Sequence, residues 1–334
     1  MGLLSWLLKG RGHDVGELAR RLGVADPRQL RRFEPRYREF AIPKRSGGTR
    51  RILAPDDQLK RLQRSILRRL LTRLKAHPAA TGFERGQSIV TNARAHQGQA
   101  VVLRFDLCDF FPSTRAKRVK KYFRRIGWNR PATKLLMRFC TYERGLPQGA
   151  PTSPRLSNLV NYRLDARLAG MAAKLGAVYT RYADDITISL PKCDEGDSRP
   201  AERVCRNPLT GQQWRVTRLE STADTIRYVT GFVRRVVEAE GYRLHRRKKL
   251  SVRRRHHRQV VTGLVVNDQV NLPRSTRRWL RAVEHRARLA QQTSSASGDP
   301  ASHVSARKPT LTPAQREGWS ALQSMIARQR QGDR

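Results

Sequence analysis

The sequence predicts an α+β fold, because two strand patterns that lead to acidic residues are surrounded by amphipathic segments. Val101–Asp106 is an apolar run that ends at an aspartate, as is typical of a buried strand. Val178–Leu190 alternates between apolar and polar positions around Ala183-Asp184-Asp185, which predicts a hairpin with the acids at its turn. Apolar residues recur at helical spacing in residues 56–74, 156–175 and 226–240.

The charge of the chain indicates a polyanionic partner. Its 334 residues carry 69 Lys and Arg against 27 Asp and Glu, a formal net charge of +42. Cationic surfaces associate with nucleic acids because phosphates then release condensed counterions. Hydrophobic residues make up 38% of the chain, which excludes a wholly disordered basic tail. The length suits two domains, or one large domain with appendages.

The sequence predicts a cytoplasmic protein with no membrane partner. It has no apolar run of the roughly 18–20 residues that a membrane span needs. The opening Met1–Leu8 has no basic flank and predicts no signal peptide. The four cysteines show no CxxC spacing, which argues against a zinc knuckle and fits a reduced cytoplasm.

The N-terminal elements are basic. Residues 1–36 predict short helices that form an N-terminal extension. Ile42–Pro55 predicts a hairpin around Ser46-Gly47-Gly48 with a basic tip. A helix capped by Asp56 or Asp57 follows, with an apolar face up to Leu74. Its other face is Arg and Lys, and either faces solvent or follows a phosphate backbone.

The second half alternates between loops, helices and basic runs. Phe110–Ser113 ends the first strand, and a basic helix is expected after it; Leu146–Pro154 is a Gly/Pro-rich loop. Residues 191–222 predict a surface insertion. Arg243–Arg258 holds nine Lys and Arg and no acid, and Val260–Val266 predicts a strand. The tail from residue 274 is basic and helical, with a Ser/Gly/Pro linker around 293–300.

The acids at the strand ends are the first candidates for chemistry. Asp106, Asp184 and Asp185 follow or join apolar strands, where an unpaired charge is costly, so such acids usually hold a cation. Two Mg²⁺ ions about 3.5–4 Å apart, bridged by carboxylates, are the arrangement that polymerases use. An ordinary Asp-Asp turn is the alternative, and for the dipeptide alone it is the commoner outcome.

Four segments in order resemble the motifs of reverse transcriptases, over roughly Tyr37 to Asn267. Phe105–Ser113 (FDLCDFFPS) resembles the first catalytic motif, and Leu146–Pro154 (LPQGAPTSP) the template- and nucleotide-positioning loop. Tyr182–Asp185 (YADD) resembles the YxDD box. Gly241–Lys249 (GYRLHRRKK) resembles the next motif, with His245 in place of its usual Asn. Each motif alone is weak, whereas the ordered set is specific.

Two further boxes resemble the retron branch of these enzymes. Asn92–His96 (NARAH) is similar to an NAxxH box, and Val261–Gly263 to a VTG box. The alternatives are that His96 caps a helix and that the second box ends a strand. The retron resemblance implies RNA contacts for both boxes and the basic run, namely for Asn92, His96, Arg253, Arg254, Arg255, Val261, Thr262 and Gly263.

The resemblance also implies roles at the catalytic centre. Asp106, Asp184 and Asp185 would hold two Mg²⁺ ions, for which Mn²⁺ can substitute, together with the carbonyl of Leu107. Lys248 would either protonate the leaving pyrophosphate or only bind phosphate.

The incoming nucleotide would contact three groups of residues. Arg50 and one of Lys44 and Arg45 would clamp the triphosphate, with a solvated turn as the alternative for each. Phe111 would exclude a ribose 2′-hydroxyl, while Phe110 belongs to the core. The floor of the pocket would be formed by Gln148 and Gly149, whose missing Cβ permits close backbone approach.

The fold that the resemblance implies is a right-hand polymerase. Residues 37–273 would form fingers and palm, and residues 274–334 a short basic thumb. A retron enzyme copies a structured non-coding RNA into branched multicopy single-stranded DNA (msDNA) with dNTPs, from the 2′-hydroxyl of a guanosine, usually in antiphage defence with a separate effector protein. The alternatives are a group II intron-like or diversity-generating enzyme, an RNA-dependent RNA polymerase, and a non-catalytic RNA-binding protein.

Overall fold

The computed structural model of the chain describes residues 12–44, 47–191, 204–206, 213–215, 221–245, 250–296 and 311–331. Helices and strands are both abundant, as an α+β fold requires. None of the helices within those ranges combines the length and the apolar character needed to cross a membrane.

The N-terminal part consists of two helices and a hairpin. Helix α1 spans Val15–Leu22 and α2 spans Pro27–Arg32, so the predicted short helices are confirmed over the described residues. Strands β1 (Tyr37–Pro43) and β2 (Thr49–Pro55) form the predicted antiparallel hairpin. Most of its side chains are exposed, because few residues of the hairpin pack on a core.

The predicted long basic helix is interrupted. Helix α3 spans Asp57–Ile66, and the Asp56 side chain caps it by accepting a hydrogen bond from the Leu59 amide. The chain then forms a π-helical turn over Leu67–Leu71, so the expectation of one regular helix up to residue 74 is wrong. The apolar face packs in a first core with α1 and with α6 (Ala116–Arg125) and α7 (Arg130–Cys140).

A four-stranded antiparallel sheet organises the rest of the chain. Its strand order is β4 (Val178–Tyr182), β5 (Asp185–Leu190), β3 (Val101–Asp106) and β8 (Ser251–Arg254). The odd-numbered positions of β3 and the even-numbered positions of β5 face a second core. Helices α9 (Tyr162–Lys174) and α10 (Thr222–Ala239) cover this face.

Among the residues that the structure describes, those that cover the opposite face of the sheet lie at one end of it. A third core includes Val102 of this face. It also contains residues of helix α4 (Ile89–Arg94) and of the hairpin formed by β9 (Val260–Val261) and β10 (Leu264–Val265). Two C-terminal helices contribute to this core, α11 (Arg274–Ala296) and α12 (Pro313–Gln331). At the other end of the same face Asp106 and Asp185 are half-buried.

Several predicted boundaries shift in the structure. The helix expected over 156–175 is two helices, α8 (Ser153–Val160) and α9, because the Asn161 side chain between them donates to the carbonyl of Ser157 at 2.8 Å. Helix α5 is a single turn over Phe110–Ser113. Helix α11 continues to Ala296, past the expected start of the linker. Within the predicted insertion, residues 191–222, the described residues form β6 (Val204–Arg206), β7 (Gln213–Arg215) and the start of α10.

Candidate functional site

The sheet brings the predicted acids together. Strand β3 ends at Asp106 and β5 begins at Asp185, and these two residues are direct partners in the antiparallel register. The amide of Leu107 donates to the carbonyl of Asp184 at 3.1 Å, which ties the two strand ends to each other. The sequence-predicted group of Asp106, Leu107, Asp184 and Asp185 therefore lies at one edge of the sheet.

This group offers ligands of the kind that hard divalent cations prefer, namely carboxylate oxygens and a backbone carbonyl. Over the described parts of the chain, no three His, Cys, Asp or Glu side chains already form a metal-binding cluster. One oxygen of Asp185 lies 3.3 Å from a guanidinium nitrogen of Arg104, and each of these side chains is about one-third exposed. The donor chemistry of these residues therefore suits a hard divalent cation.

A buried arginine, which the sequence analysis missed, supports the Asp184-Asp185 turn. Arg181 and Asp165 are fully buried and form a two-pronged ion pair, with both N–O distances 2.7 Å. The third nitrogen of the guanidinium donates to the carbonyl of Ala183 at 3.0 Å. Burial opposes the charge of Arg181, but the carboxylate of Asp165 outweighs it and raises the pKa of the guanidinium above its ordinary value.

The turn itself is held in an uncommon conformation. Ala183 has φ +58, in the left-handed region that favours glycine. Gly82 lies against this turn so closely that a Cβ at Gly82 would come within 2.7 Å of the Ala183 amide nitrogen. Substitution of Gly82 would therefore displace the residue that precedes Asp184.

Phenylalanine rings contact Arg181 and one another. Phe110 is buried, as predicted, and the guanidinium of Arg181 lies 5.5 Å from the centre of its ring. Phe111 is half-buried, and its ring lies 5.5 Å from that of Phe110 and 6.2 Å from that of Phe83. Phe83 was missed by the sequence analysis, since a single Phe in a polar loop gives no periodic signal.

The predicted nucleotide loop packs on the β1–β2 hairpin. The carbonyl of Gln148 accepts a hydrogen bond from the Leu53 amide at 2.8 Å. Gly149 has φ +127, and a Cβ there would lie 2.8 Å from the carbonyl oxygen of Leu53. Gly149 therefore allows a close approach to strand β2, whereas its part in a nucleotide pocket stays a prediction.

Of the four cationic residues predicted at the catalytic centre, two lie within the described residues. Lys44 and Arg50 lie exposed near the tip of the β1–β2 hairpin, where the Lys44 amide donates to the Gly48 carbonyl at 2.9 Å. Arg45 and Lys248 lie outside the described residues, so their predicted roles stay predictions.

The structure explains why the two retron-type boxes occur together. Asn92 of the first box lies on α4, and the hydroxyl of Thr262 in the second box donates to the carbonyl of Ile89 on the same helix at 2.8 Å. Thr262 and Gly263 form the turn of the β9–β10 hairpin with φ +47 and +85. Apolar residues of both boxes share the third core.

The expectation that these boxes contact RNA directly is wrong for three of their side chains. Asn92, His96 and Val261 are buried. The two ring nitrogens of His96 lie 2.7 Å from the hydroxyls of Ser189 and Thr180, so the ring bridges β5 and β4. Arg94 of the first box and Gly263 of the second box are exposed, and Thr262 is half-buried.

We expect His96 to make the stability of the protein fall in acid. Burial lowers the pKa of His96 to about 3, whereas an unfolded histidine titrates near 6.5. Between these values the unfolded state binds one more proton than the native state, so the free energy of unfolding decreases as the pH falls, by about 2 kcal/mol from pH 8 to pH 5. Urea unfolding at both pH values checks this: His96→Gln should remove that decrease, whereas His257→Gln, at an exposed position, should retain it.

The basic run borders an open cavity on the same sheet face as the acids. The cavity holds about 420 Å³ and is lined by Arg104, Ser251, Arg253, His257, Arg258 and Val260. Gln259 braces the neighbouring turn, since its side-chain amide donates to the carbonyls of Gln99, Ala100 and Arg253. Arg254 and Arg255 are exposed, and Arg255 pairs with Asp268 at 2.8 Å.

Comparison with known proteins finds relatives of this chain among the reverse transcriptases. Residues 42–206 match the family described as reverse transcriptase (RNA-dependent DNA polymerase). The chain is 40% identical to the retron Mx162 reverse transcriptase of Myxococcus xanthus over 273 residues, which cover 75% of this chain and 52% of that protein. It is 39% identical to the retron Mx65 reverse transcriptase of the same organism over 292 residues, or 82% of this chain and 60% of that protein.

A relative from another organism shows the same similarity over a shorter region. The retron Ec86 reverse transcriptase of Escherichia coli is 44% identical over 156 residues, which cover 46% of this chain and 49% of that protein. The chain thus spans about half the length of the curated relatives that it matches. Residues 42–206 therefore form a region of the reverse transcriptase family, and the bacterial retron reverse transcriptases are relatives of this chain.

Proposed function

We propose that the protein is the RNA-directed DNA polymerase of a retron. The observation that carries this proposal is the register of β3 and β5, which places Asp106 opposite Asp185 at an open edge of the sheet beside Asp184. In this assignment residues 1–36 are an N-terminal extension, residues 37–273 form fingers and palm, and residues 274–334 form the thumb. The β1–β2 hairpin belongs to the fingers and the four-stranded sheet to the palm.

Asp106, Asp184 and Asp185, with the Leu107 carbonyl, would hold two Mg²⁺ ions, and Mn²⁺ could replace them. Such ions stabilise the charge that develops on the attacking and leaving oxygens. The chain's own residues position the reactants: Arg50 and one of Lys44 and Arg45 bind the triphosphate, and Gln148 and Gly149 shape the nucleotide pocket. Lys248 either donates a proton to pyrophosphate or binds phosphate.

We infer the partners of the protein from its net charge and from the retron reverse transcriptases that it resembles. A surface with a net charge of +42 binds the phosphates of RNA and of the growing DNA but cannot distinguish one RNA from another. Selection of a structured non-coding RNA must therefore come from loops and shape. Its product would be msDNA made from dNTPs in the cytoplasm, and a separate effector protein would complete an antiphage system.

The test is a competition at moderate salt between the RNA encoded beside the gene and an unrelated structured RNA of equal length. We expect branched RNA–DNA from the first RNA alone, and none when the branching guanosine lacks its 2′-hydroxyl. If both RNAs are used equally and give ordinary 3′-primed products, the protein is a reverse transcriptase of another type. Binding without synthesis on any primer–template, including poly(rA)/oligo(dT), would indicate a non-catalytic RNA-binding protein.

Phe111→Ala is expected to relax the selection of the sugar. The half-buried ring packs against Phe110 in the segment that follows Asp106, and in this proposal it excludes a 2′-hydroxyl by contact. The ratio of kcat/KM for rNTP to that for dNTP should rise about tenfold or more. Phe110→Leu, which alters the buried neighbour, should lower stability without changing this ratio. An unchanged ratio in Phe111→Ala would assign Phe111 to the core alone.

Arg253 and Arg258 are expected to contribute to nucleic-acid affinity as charges. Both line the basic cavity, so neutralising them should flatten the dependence of log K on log salt by up to about 0.7–0.9 for each lost phosphate contact. Filter binding of Arg253→Gln/Arg258→Gln over a salt series measures the slope. A control with Arg28→Gln/Arg31→Gln removes the same charge from exposed positions on α2. Equal slopes in the two variants would show that the cavity has no special part in binding.

A further inference from the structure

Phe83 is the exposed member of a row of three aromatic rings. Its ring lies 6.2 Å from that of Phe111 and 6.2 Å from that of Tyr182. Both neighbours are half-buried, whereas Phe83 is 45% exposed. Single exposed apolar side chains are common on protein surfaces; what distinguishes Phe83 is its backbone conformation and its position next to the strand ends.

The backbone of Phe83 is strained and firmly held. Its φ is +64, in the left-handed region, where a bulky residue is an outlier. The neighbouring residues are held by helix α8, since the side-chain amide of Asn158 donates to the Gly82 carbonyl at 2.6 Å and to the Glu84 carboxylate at 2.8 Å. Such strained conformations persist only where the surroundings impose them, and they concentrate at functional sites.

The position of the row connects Phe83 to the carboxylates. Tyr182 is the direct register partner of Asp185, and Phe111 follows Asp106 by five residues. The Phe83 ring thus stands beside the two strand ends that carry the acids. Flat apolar rings exposed next to a phosphate-binding surface are the usual partners of nucleobases, because every base has a π-face to stack on.

We propose that Phe83 is a stacking platform for a nucleobase of the base pair that forms at the carboxylates. This inference rests on the proposed polymerase function and adds a binding residue to it. The base belongs either to the RNA template at the position being copied or to the incoming nucleotide. In both cases the strained backbone holds the ring in place before the base arrives, so that little ordering is required on binding.

The experiment compares wild type, Phe83→Leu and Phe83→Trp, with Tyr228→Leu as matched control. Tyr228 on α10 has similar exposure, 43%, and a similar ring contact, 6.1 Å to Phe232. For the template, the Kd of an RNA template with a chain-terminated DNA primer is measured with a normal base and with an abasic residue at the templating position. For the incoming nucleotide, the KM for dNTP is measured on an intact template.

We expect Phe83→Leu to weaken one of these two interactions by about 5- to 150-fold, the range of a lost base–aromatic stack. If the partner is the template base, Kd rises with the intact template and not with the abasic one; if it is the incoming base, only KM rises. Phe83→Trp should keep near-wild-type values, as should Tyr228→Leu. If an active Phe83→Leu protein has unchanged Kd and KM, the stacking role of Phe83 is wrong but the proposed function stands. If the wild-type protein never extends a primer, the proposed function itself is wrong.

Discussion

Replacing Asp184 and Asp185 with alanine is expected to abolish DNA synthesis while RNA binding stays nearly intact. These carboxylates lie at the strand ends opposite Asp106, whereas the net charge of +42 that binds phosphates is spread over the chain. We expect the rate of primer extension in Mg²⁺ to fall by about 10⁴-fold or more, the scale seen when groups that act on the reacting atoms are removed. The fold should tolerate the change, because the Arg104–Asp185 pair is partly exposed and contributes little.

The control must carry the same change in charge. Asp57→Ala/Glu238→Ala removes two exposed acids, on α3 and α10, that lie outside the carboxylate group. It should extend a primer at the wild-type rate and bind RNA as tightly as the active-site variant does. Primer extension by Asp184→Ala/Asp185→Ala at a rate close to that of the control would show that the chemistry lies elsewhere.

Arg181→Met is expected to destabilise the protein strongly and to abolish synthesis. The substitution leaves Asp165 as a fully buried carboxylate without its ion-pair partner, a change that typically costs about 3–5 kcal/mol. It also removes the donor to the Ala183 carbonyl, so the turn that carries Asp184 loses its support. Urea unfolding and primer extension measure the two effects separately.

A second variant separates stability from positioning. Arg181→Met/Asp165→Leu/Tyr179→Phe replaces the whole buried group, including the tyrosine hydroxyl that donates to Asp165 at 2.7 Å, by apolar side chains. Such replacements are often neutral for stability, so we expect most of the stability to return but kcat to stay low. Tyr179→Phe alone keeps the ion pair and should cost only about 1 kcal/mol. Full activity of the triple variant would mean that the ion pair serves only the fold.

The strand ends and their acids could be predicted because their signals are local. The apolar run of Val101–Asp106 and the alternation of Val178–Leu190 each determine a strand within a few residues, and both are present. The two retron-type boxes pack together, a contact that the sequence analysis did not predict. Their burial was not foreseen, because polar residues such as Asn92 and His96 suggest a surface unless their buried partners are known.

The residues that support the site could not be predicted, since each depends on contacts between distant segments. Arg181 looks like the polar position of an alternating strand, and only the packed α9 supplies Asp165 as its partner. The break at Asn161 depends on hydrogen bonds to Ser157 and to the hydroxyl of Tyr242, which is 81 residues away. Phe83 is exposed in a loop, so neither periodicity nor composition distinguishes it from an ordinary surface residue.

The strand order of the central sheet has a consequence for synthesis on the ribosome. Strand β3 is an inner strand, yet its partners β5 and β8 follow it by roughly 80 and 150 residues. Both edges of β3 therefore stay unpaired until much of the chain has emerged, and β8 closes the second edge last. Unpaired apolar strands invite association with other chains, so a nascent chain halted before Ser251 would be prone to aggregation. Long-range pairing of this kind also makes folding slow.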